Sequence, residues 1–178
     1  MHASAIKAGV LKELQRQINQ ELGASHAYLS LAAWCHDQNL KGFARFFSRQ
    51  AAEERQHAQK LMDHLLDRGV MPRLGALPEP KANFDDLLGV AQQAQSMEQA
   101  NTAGIHACYE ASVREGDLPA QVLLQWFVSE QVEEENWAAE MVARVARANC
   151  AGGLGDLDRH IERYLGEEGL DANGSVGK

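Results

Sequence analysis

Apolar positions along the chain recur at alternating steps of four and three over four long stretches. The first, about residues 5–36, runs Leu14, Ile18, Glu21, Ser25, Tyr28, Ala32, Cys35. The second runs Phe43, Phe47, Gln50, Glu54, His57, Leu61, Leu65 and ends near Gly69, a suitable C-cap. The third follows Leu87, Ala91, Ala94, Glu98, Thr102, Ile105, and the fourth Ala120, Leu124, Phe127, Gln131, Glu134, Ala138, Met141, Val145. This spacing keeps one side of a helix turned toward its neighbours. The stretches are rich in Ala, Leu, Gln and Glu, which favour helix. The pattern predicts an all-α fold of four bundle helices, with Ser25 small enough to pack on the first seam. A shorter apolar stripe, Leu154, Leu157, Ile161, Tyr164, Leu165, predicts a fifth C-terminal helix. It is too short to stand alone and must dock on the bundle or on another subunit. Residues 1–168 then form a single domain, and the polar, Gly-containing segment 169–178 is expected to be a disordered tail.

The connections order these helices. Asp37-Gln38-Asn39 and Glu115-Gly116-Asp117 are short, so helices one and two, and three and four, are predicted to be antiparallel neighbours. Pro119 follows the second of these turns at a helix start. The link from Gly69 to about Phe84 holds Pro72, Pro78 and Pro80. Extended at ~3.3 Å per residue it reaches about 50 Å, enough to run back along a helix of roughly 42 Å. One long crossover between two hairpins is the arrangement this length allows.

Charge and cysteine content exclude some functions. A net charge of −8, with no run among the basic residues, argues against nucleic-acid binding, and an acidic surface favours cations. The first twenty residues lack an unbroken apolar stretch, so neither a signal peptide nor a membrane span is expected, and the reading is cytoplasmic. Cys35, Cys108 and Cys150 are widely spaced and form no CxxC pair, which leaves them as reduced thiols.

The chemistry lies where the seams stop being apolar. Near its middle each carries polar residues: Glu21, then Glu54 and His57, then Glu98, then Gln131 and Glu134. Burying several carboxylates without partners costs several kcal/mol each, about what only a bound positive charge can offset. Glu21 and Glu54 are 33 positions apart, as are Glu98 and Gln131, and each midpoint falls in or beside a predicted turn. Each hairpin therefore sets its polar residues at one level, and the two halves read as a degenerate duplication. In Glu54-x-x-His57 the two side chains stand one turn apart and can hold one cation. A set rich in carboxylate, with one imidazole and no thiolate, suits iron or manganese better than structural zinc. Two metals fit, one held by Glu21 and His57, one by Glu98, with Glu54 between them.

The stretches QINQELGASHAYLSLAAWC, FFSRQAAEERQHAQKLM and LLQWFVSEQVEEE resemble the first, second and fourth helices of bacterial non-haem ferritins, and the resemblance spans about residues 8–166. Metal sites of this kind in helical bundles are a known pattern of ferritin-like carboxylate proteins. The resemblance implies a ferritin-like four-helix bundle, iron storage and detoxification, and ferroxidase activity oxidising Fe(II) at a buried di-iron centre with dioxygen or hydrogen peroxide. It assigns Glu21, Glu54 and His57 to the first iron, and Glu54, Glu98 and Gln131 to the surroundings of the second. Tyr28 and Trp126 match aromatic residues beside the centre. Glu53, Glu130, Glu133 and Glu134 match the carboxylates of a third iron site, which from the sequence lacks a nitrogen ligand. The family further implies self-assembly into a hollow shell of 24 subunits, with the fifth helix at a fourfold pore.

Neighbouring families differ at particular residues. Bacterioferritins repeat Glu-x-x-His on the fourth helix, where this chain reads Gln131-x-x-Glu134, so no haem is expected. Rubrerythrin-type peroxidases usually add a site of paired cysteines, and mini-ferritins lack a comparable fifth helix. A catalytically inactive cage subunit is the non-enzyme alternative, against which the full ligand set argues.

Overall fold

A computed structural model describes residues 6–166 as five helices: α1 Ala8–Asp37, α2 Lys41–Asp67, α3 Leu87–Glu115, α4 Leu118–Ala151 and α5 Leu154–Gly166. No strand occurs among the described residues. The predicted tail, 169–178, lies outside them, as do residues 1–5, so the proposed start of the first helix at residue 5 falls there too.

Local chemistry sets the helix ends. Asn39, in the left-handed region at φ 59°, turns the chain between α1 and α2, a conformation that asparagine tolerates. Gly116, at φ 69°, ends α3. Directly after it Asp117 caps α4, accepting from the Ala120 amide at 3.2 Å, with Pro119 in the first turn. Asp86 caps α3 in the same way through the Gly89 amide at 2.9 Å.

Two apolar blocks fix the topology. One gathers Val10, Leu14 and Ile18 from the start of α1 with Leu61 and Leu65 from the end of α2, Ile105 and Cys108 from the end of α3, and Ala120, Leu124 and Phe127 from the start of α4. The other joins the opposite ends, including Tyr28, Leu31, Phe43, Phe47, Val90, Ala94, Ala138 and Met141, with Leu157 and Ile161 of α5. Helices α1 and α4 therefore point one way, and α2 and α3 the other. Parallel α2 and α3 require the long crossover that the sequence predicts. Its residues are strapped along α1 by polar groups: Asn19 Nδ2 donates to the Arg73 carbonyl at 2.9 Å, the Gly75 amide to Asn19 Oδ1 at 2.6 Å, and Ser30 Oγ to the Lys81 carbonyl at 3.0 Å.

The fifth helix docks on α2 and α4 of its own bundle. Asp158 accepts from the Phe43 amide at 3.0 Å, and a Cβ on Gly42 would stand 1.8 Å from the Asp158 carbonyl oxygen, so this approach needs glycine. Leu157, Ile161 and Leu165 are buried, but Tyr164 is exposed, contrary to the predicted stripe. Arg144 lies over its ring at 4.5 Å. Ser25 also departs from prediction: Ala24 takes the buried place, and the half-buried Ser25 hydroxyl donates to the Ala51 carbonyl at 2.6 Å. A hydroxyl facing a neighbouring helix finds its acceptor at the edge of the seam.

At the far end, Arg68 after α2 meets Asp117 before α4 in a buried ion pair, Nη1 to Oδ1 2.8 Å and Nη1 to Oδ2 2.9 Å. The same carboxylate caps α4, so one side chain joins the two hairpins and starts a helix. Asp117→Ala should lower stability by about 3–5 kcal/mol, the usual result of stripping one partner from a buried pair. Denaturant unfolding measures it. A loss below about 1 kcal/mol, typical of a surface pair, would show that the contact does not hold the hairpins together.

Candidate metal centre

Between the two apolar blocks lies a polar layer. Glu21, Glu54, Glu98, Gln131, Glu134 and His57 are all buried. Glu21, Glu54 and His57 each offer an atom within 4.8 Å of the other two, and His57 Nδ1 stands 3.5 Å from Glu54 Oε2. The equal spacing in the sequence thus becomes a shared level in the bundle. Glu98 faces this group from α3 and accepts from the Tyr28 hydroxyl. Gln131 turns its amide nitrogen to α3, reaching Thr102 Oγ1 at 3.1 Å and the Glu98 carbonyl at 3.4 Å. Glu134 accepts from Trp137 Nε1 at 2.5 Å and Gln50 Nε2 at 3.3 Å.

The third-site carboxylates divide. His57, Glu130 and Glu134 form a second group, again with one atom of each within 4.8 Å of the others. The imidazole of His57 thus stands within reach of Glu130 and Glu134 as well as of Glu21 and Glu54, where the sequence placed no nitrogen near the third-site carboxylates, and its one unprotonated nitrogen can serve one group at a time. Glu53 is half-buried and its charge reaches Glu130 and Glu134. Glu133 is exposed and acts on Glu130 from the rim. Trp126 lies edge-on to His57 with ring centres 5.6 Å apart and carries the Lys60 ammonium 3.3 Å above its own ring.

Burial dominates the electrostatics. It raises the carboxyls of Glu21, Glu54 and Glu134 above their usual range, those of Glu54 and Glu134 strongly and with neighbouring carboxylates adding to the effect. Burial pushes Glu98 up to about 7, against the hydrogen bond from Tyr28. Tyr28 itself, buried and facing carboxylates, is raised well above 10 and stays a hydrogen-bond donor. His57 is lowered to about 4 by burial and by Lys60, so its imidazole is neutral and can bind a metal near neutral pH.

Four polar contacts were not singled out from the sequence. Gln17 Nε2 donates to Glu21 Oε1 at 2.8 Å, Asn101 Nδ2 to Glu54 Oε1 at 3.1 Å, and Gln50 and Trp137 both serve Glu134. The signal was available, because each of Gln17, Asn101, Gln50 and Trp137 stands one turn from a seam acid on its own helix. Gly104 makes room for Gln17: a Cβ there would lie 2.0 Å from Gln17 Oε1.

The outcome is a repeated asymmetry. Glu21, Glu54 and Glu98 each have one partnered oxygen, and each leaves the other, Oε2, buried with no hydrogen-bond partner. Orphaned buried oxygens are costly and rare. Three of them beside a neutral imidazole fit a cation of the ferrous type, which takes carboxylate and imidazole ligands together.

A family model for the ferritin-like domain matches residues 11–148. The bacterial non-heme ferritin of Staphylococcus haemolyticus is 37% identical over 127 residues, 71% of this chain and 76% of that protein. The bacterial non-heme ferritin of Escherichia coli is 34% identical over 157 residues, 88% of this chain and 95% of its own length. Among solved structures, an open-pore ferritin from the hyperthermophilic archaeon Archaeoglobus fulgidus aligns with a TM-score of 0.84 at 33% identity, covering 88% of this chain and 97% of that one. With a bundle of matching topology and a carboxylate–histidine layer at its centre, the chain belongs to the ferritin family, with the bacterial non-haem ferritins among its relatives.

Proposed function

We propose that this protein stores iron and acts as a ferroxidase, oxidising Fe(II) at a di-iron centre of Glu21, Glu54, His57, Glu98 and Gln131. The observation that carries this reading is the set of orphaned Oε2 atoms on Glu21, Glu54 and Glu98 beside neutral His57. Iron is the substrate. Glu21 and His57 hold one ferrous ion, Glu98 the other with Gln131 beside it, and Glu54 spans both. Each ion gives up one electron, so two reduce one dioxygen with two protons to hydrogen peroxide, or one hydrogen peroxide with two protons to two waters. Tyr28 holds Glu98 in place by its hydroxyl, and the apolar blocks above and below limit water at the centre.

Glu53, Glu130 and Glu134 form a third iron position with Glu133 at its rim and His57, the ligand of the first iron, beside it. Assembly into a 24-subunit shell is supported by apolar side chains left on the outside of the bundle, such as Leu118, Val122 and Val132. No helix among the described residues is long and apolar enough to cross a membrane.

Replacing both Glu54 and His57 by alanine should abolish rapid iron oxidation in stopped-flow absorbance while circular dichroism keeps its helical signal. Unchanged fast oxidation would sink the assignment. By contrast, Glu130→Ala with Glu133→Ala should leave the first rapid oxidation of two irons per chain largely intact and alter the iron oxidised per oxygen consumed in later turnovers. Loss of the first phase, or no change in any phase, would count against a separate third position.

The metal-free protein should show the cost of this layer. Glu98 has its folded value raised from 4.5 to about 7, so its contribution to stability is complete below about pH 4.5 and is lost as pH rises through about 7. Glu98→Gln should therefore raise the melting temperature of the metal-free protein near pH 8, with the gain fading toward pH 4.5. A variant no more stable than the parent at pH 8 would contradict the proposed strain.

A further inference from the structure

Asn101 connects the centre to the protein surface. It is buried on α3, one turn after Glu98, and its Nδ2 donates to Glu54 Oε1 at 3.1 Å. Its Oδ1 accepts from Gln20 Nε2 of α1 at 3.1 Å, and the same nitrogen lies 2.7 Å from the Ala100 carbonyl. Gln20 Oε1 in turn accepts from Arg16 Nη1 at 2.7 Å. Arg16 is exposed, tied to Glu13 by Nε at 2.9 Å and to the Gly104 carbonyl by Nη2 at 3.1 Å.

The order of donors in this chain has one solution. A side-chain amide can face either way, but a guanidinium can only donate. Arg16 must therefore meet the oxygen of Gln20, which turns the Gln20 nitrogen to Asn101. Asn101 must answer with its oxygen, which leaves its nitrogen facing Glu54. Orientation is passed inward from the surface, across the α1–α3 contact, to the carboxylate proposed to span two metals.

We infer that Asn101 is a positioning residue for Glu54, and that Arg16 and Gln20 fix the direction of its amide, so that Glu54 Oε1 is held by nitrogen and Oε2 is presented to the cations. This rests on the di-iron reading given above. Residues that orient a ligand in this manner commonly change metal affinity by about 10–100-fold when removed. Because Glu54 serves both ions, binding of both depends on the amide.

Co(II) probes this without oxidation, titrated into the full chain while its visible absorption is followed. Asn101→Leu removes the donor at similar volume and should weaken binding of the centre's cations about tenfold and shift the Co(II) bands. Gln20→Glu lies outside the centre and is the sharper variant. The introduced carboxylate still accepts from Arg16 but cannot donate to Asn101, so the Asn101 amide turns and presents oxygen to Glu54. It should match Asn101→Leu in effect, whereas Gln20→Leu, which loses the same bond to the Ala100 carbonyl but leaves the Asn101 amide free to keep its nitrogen on Glu54, should lose less. A residue needed merely for packing would give no such order. If Asn101→Leu does not fold, the pair of Gln20 variants carries the test. Wild-type affinity in Asn101→Leu and Gln20→Glu, or Gln20→Glu no worse than Gln20→Leu, would overturn the inference provided Glu54→Ala still abolishes binding. If Glu54→Ala leaves Co(II) binding intact, the di-iron reading itself fails.

Discussion

Everything in this bundle answers to the confinement of several carboxyl groups in one layer that water scarcely reaches. Glu21, Glu54, Glu98 and Glu134 are buried, and burial is the largest influence on the ionisation of each. A layer of this kind opposes folding unless it is over-determined by the structure around it. Two apolar blocks, one above and one below, supply that determination. They are separated by the polar layer, so the helices cannot slide without driving a carboxylate into an apolar neighbour.

Partial satisfaction is the second consequence. A fully bonded carboxylate would have no lone pair to offer, and a fully orphaned one would not stay in place. Gln17, Asn101 and Tyr28 each take one oxygen of Glu21, Glu54 and Glu98 and leave the other free. The same side chains that reduce the cost of burial also fix which oxygen of each carboxylate is left unbonded. His57, lowered to about 4, adds a neutral imidazole within reach of both groups that could hold a metal.

Much of this was legible in the sequence because helical periodicity is strict. The seam of four and three placed Glu21, Glu54, His57, Glu98, Gln131 and Glu134 inside, and equal separations across two short turns placed them at one height. The length of the proline-bearing link gave the crossover. What escaped was set by tertiary contact. Ser25 and Ala24 are adjacent, and only the neighbouring carbonyl of Ala51 decides which one turns inward. Tyr164 keeps helical spacing but meets Arg144 at the surface. The place of His57 beside Glu130 depends on how α2 and α4 face each other, and periodicity along one helix does not report it. Asn101 reads as an ordinary polar position until its partners on α2 and α1, Glu54 and Gln20, are seen.

The central claim is that the buried acids exist to hold two irons between them. Crystals of the protein soaked with Fe(II) under anaerobic conditions, with diffraction recorded on both sides of the iron absorption edge, test it most directly. The account predicts two anomalous peaks in the polar layer, one between Glu21 and His57 and one beside Glu98, with Glu54 between them. Iron found only on the outer surface, with the layer empty and its helices in place, would contradict it.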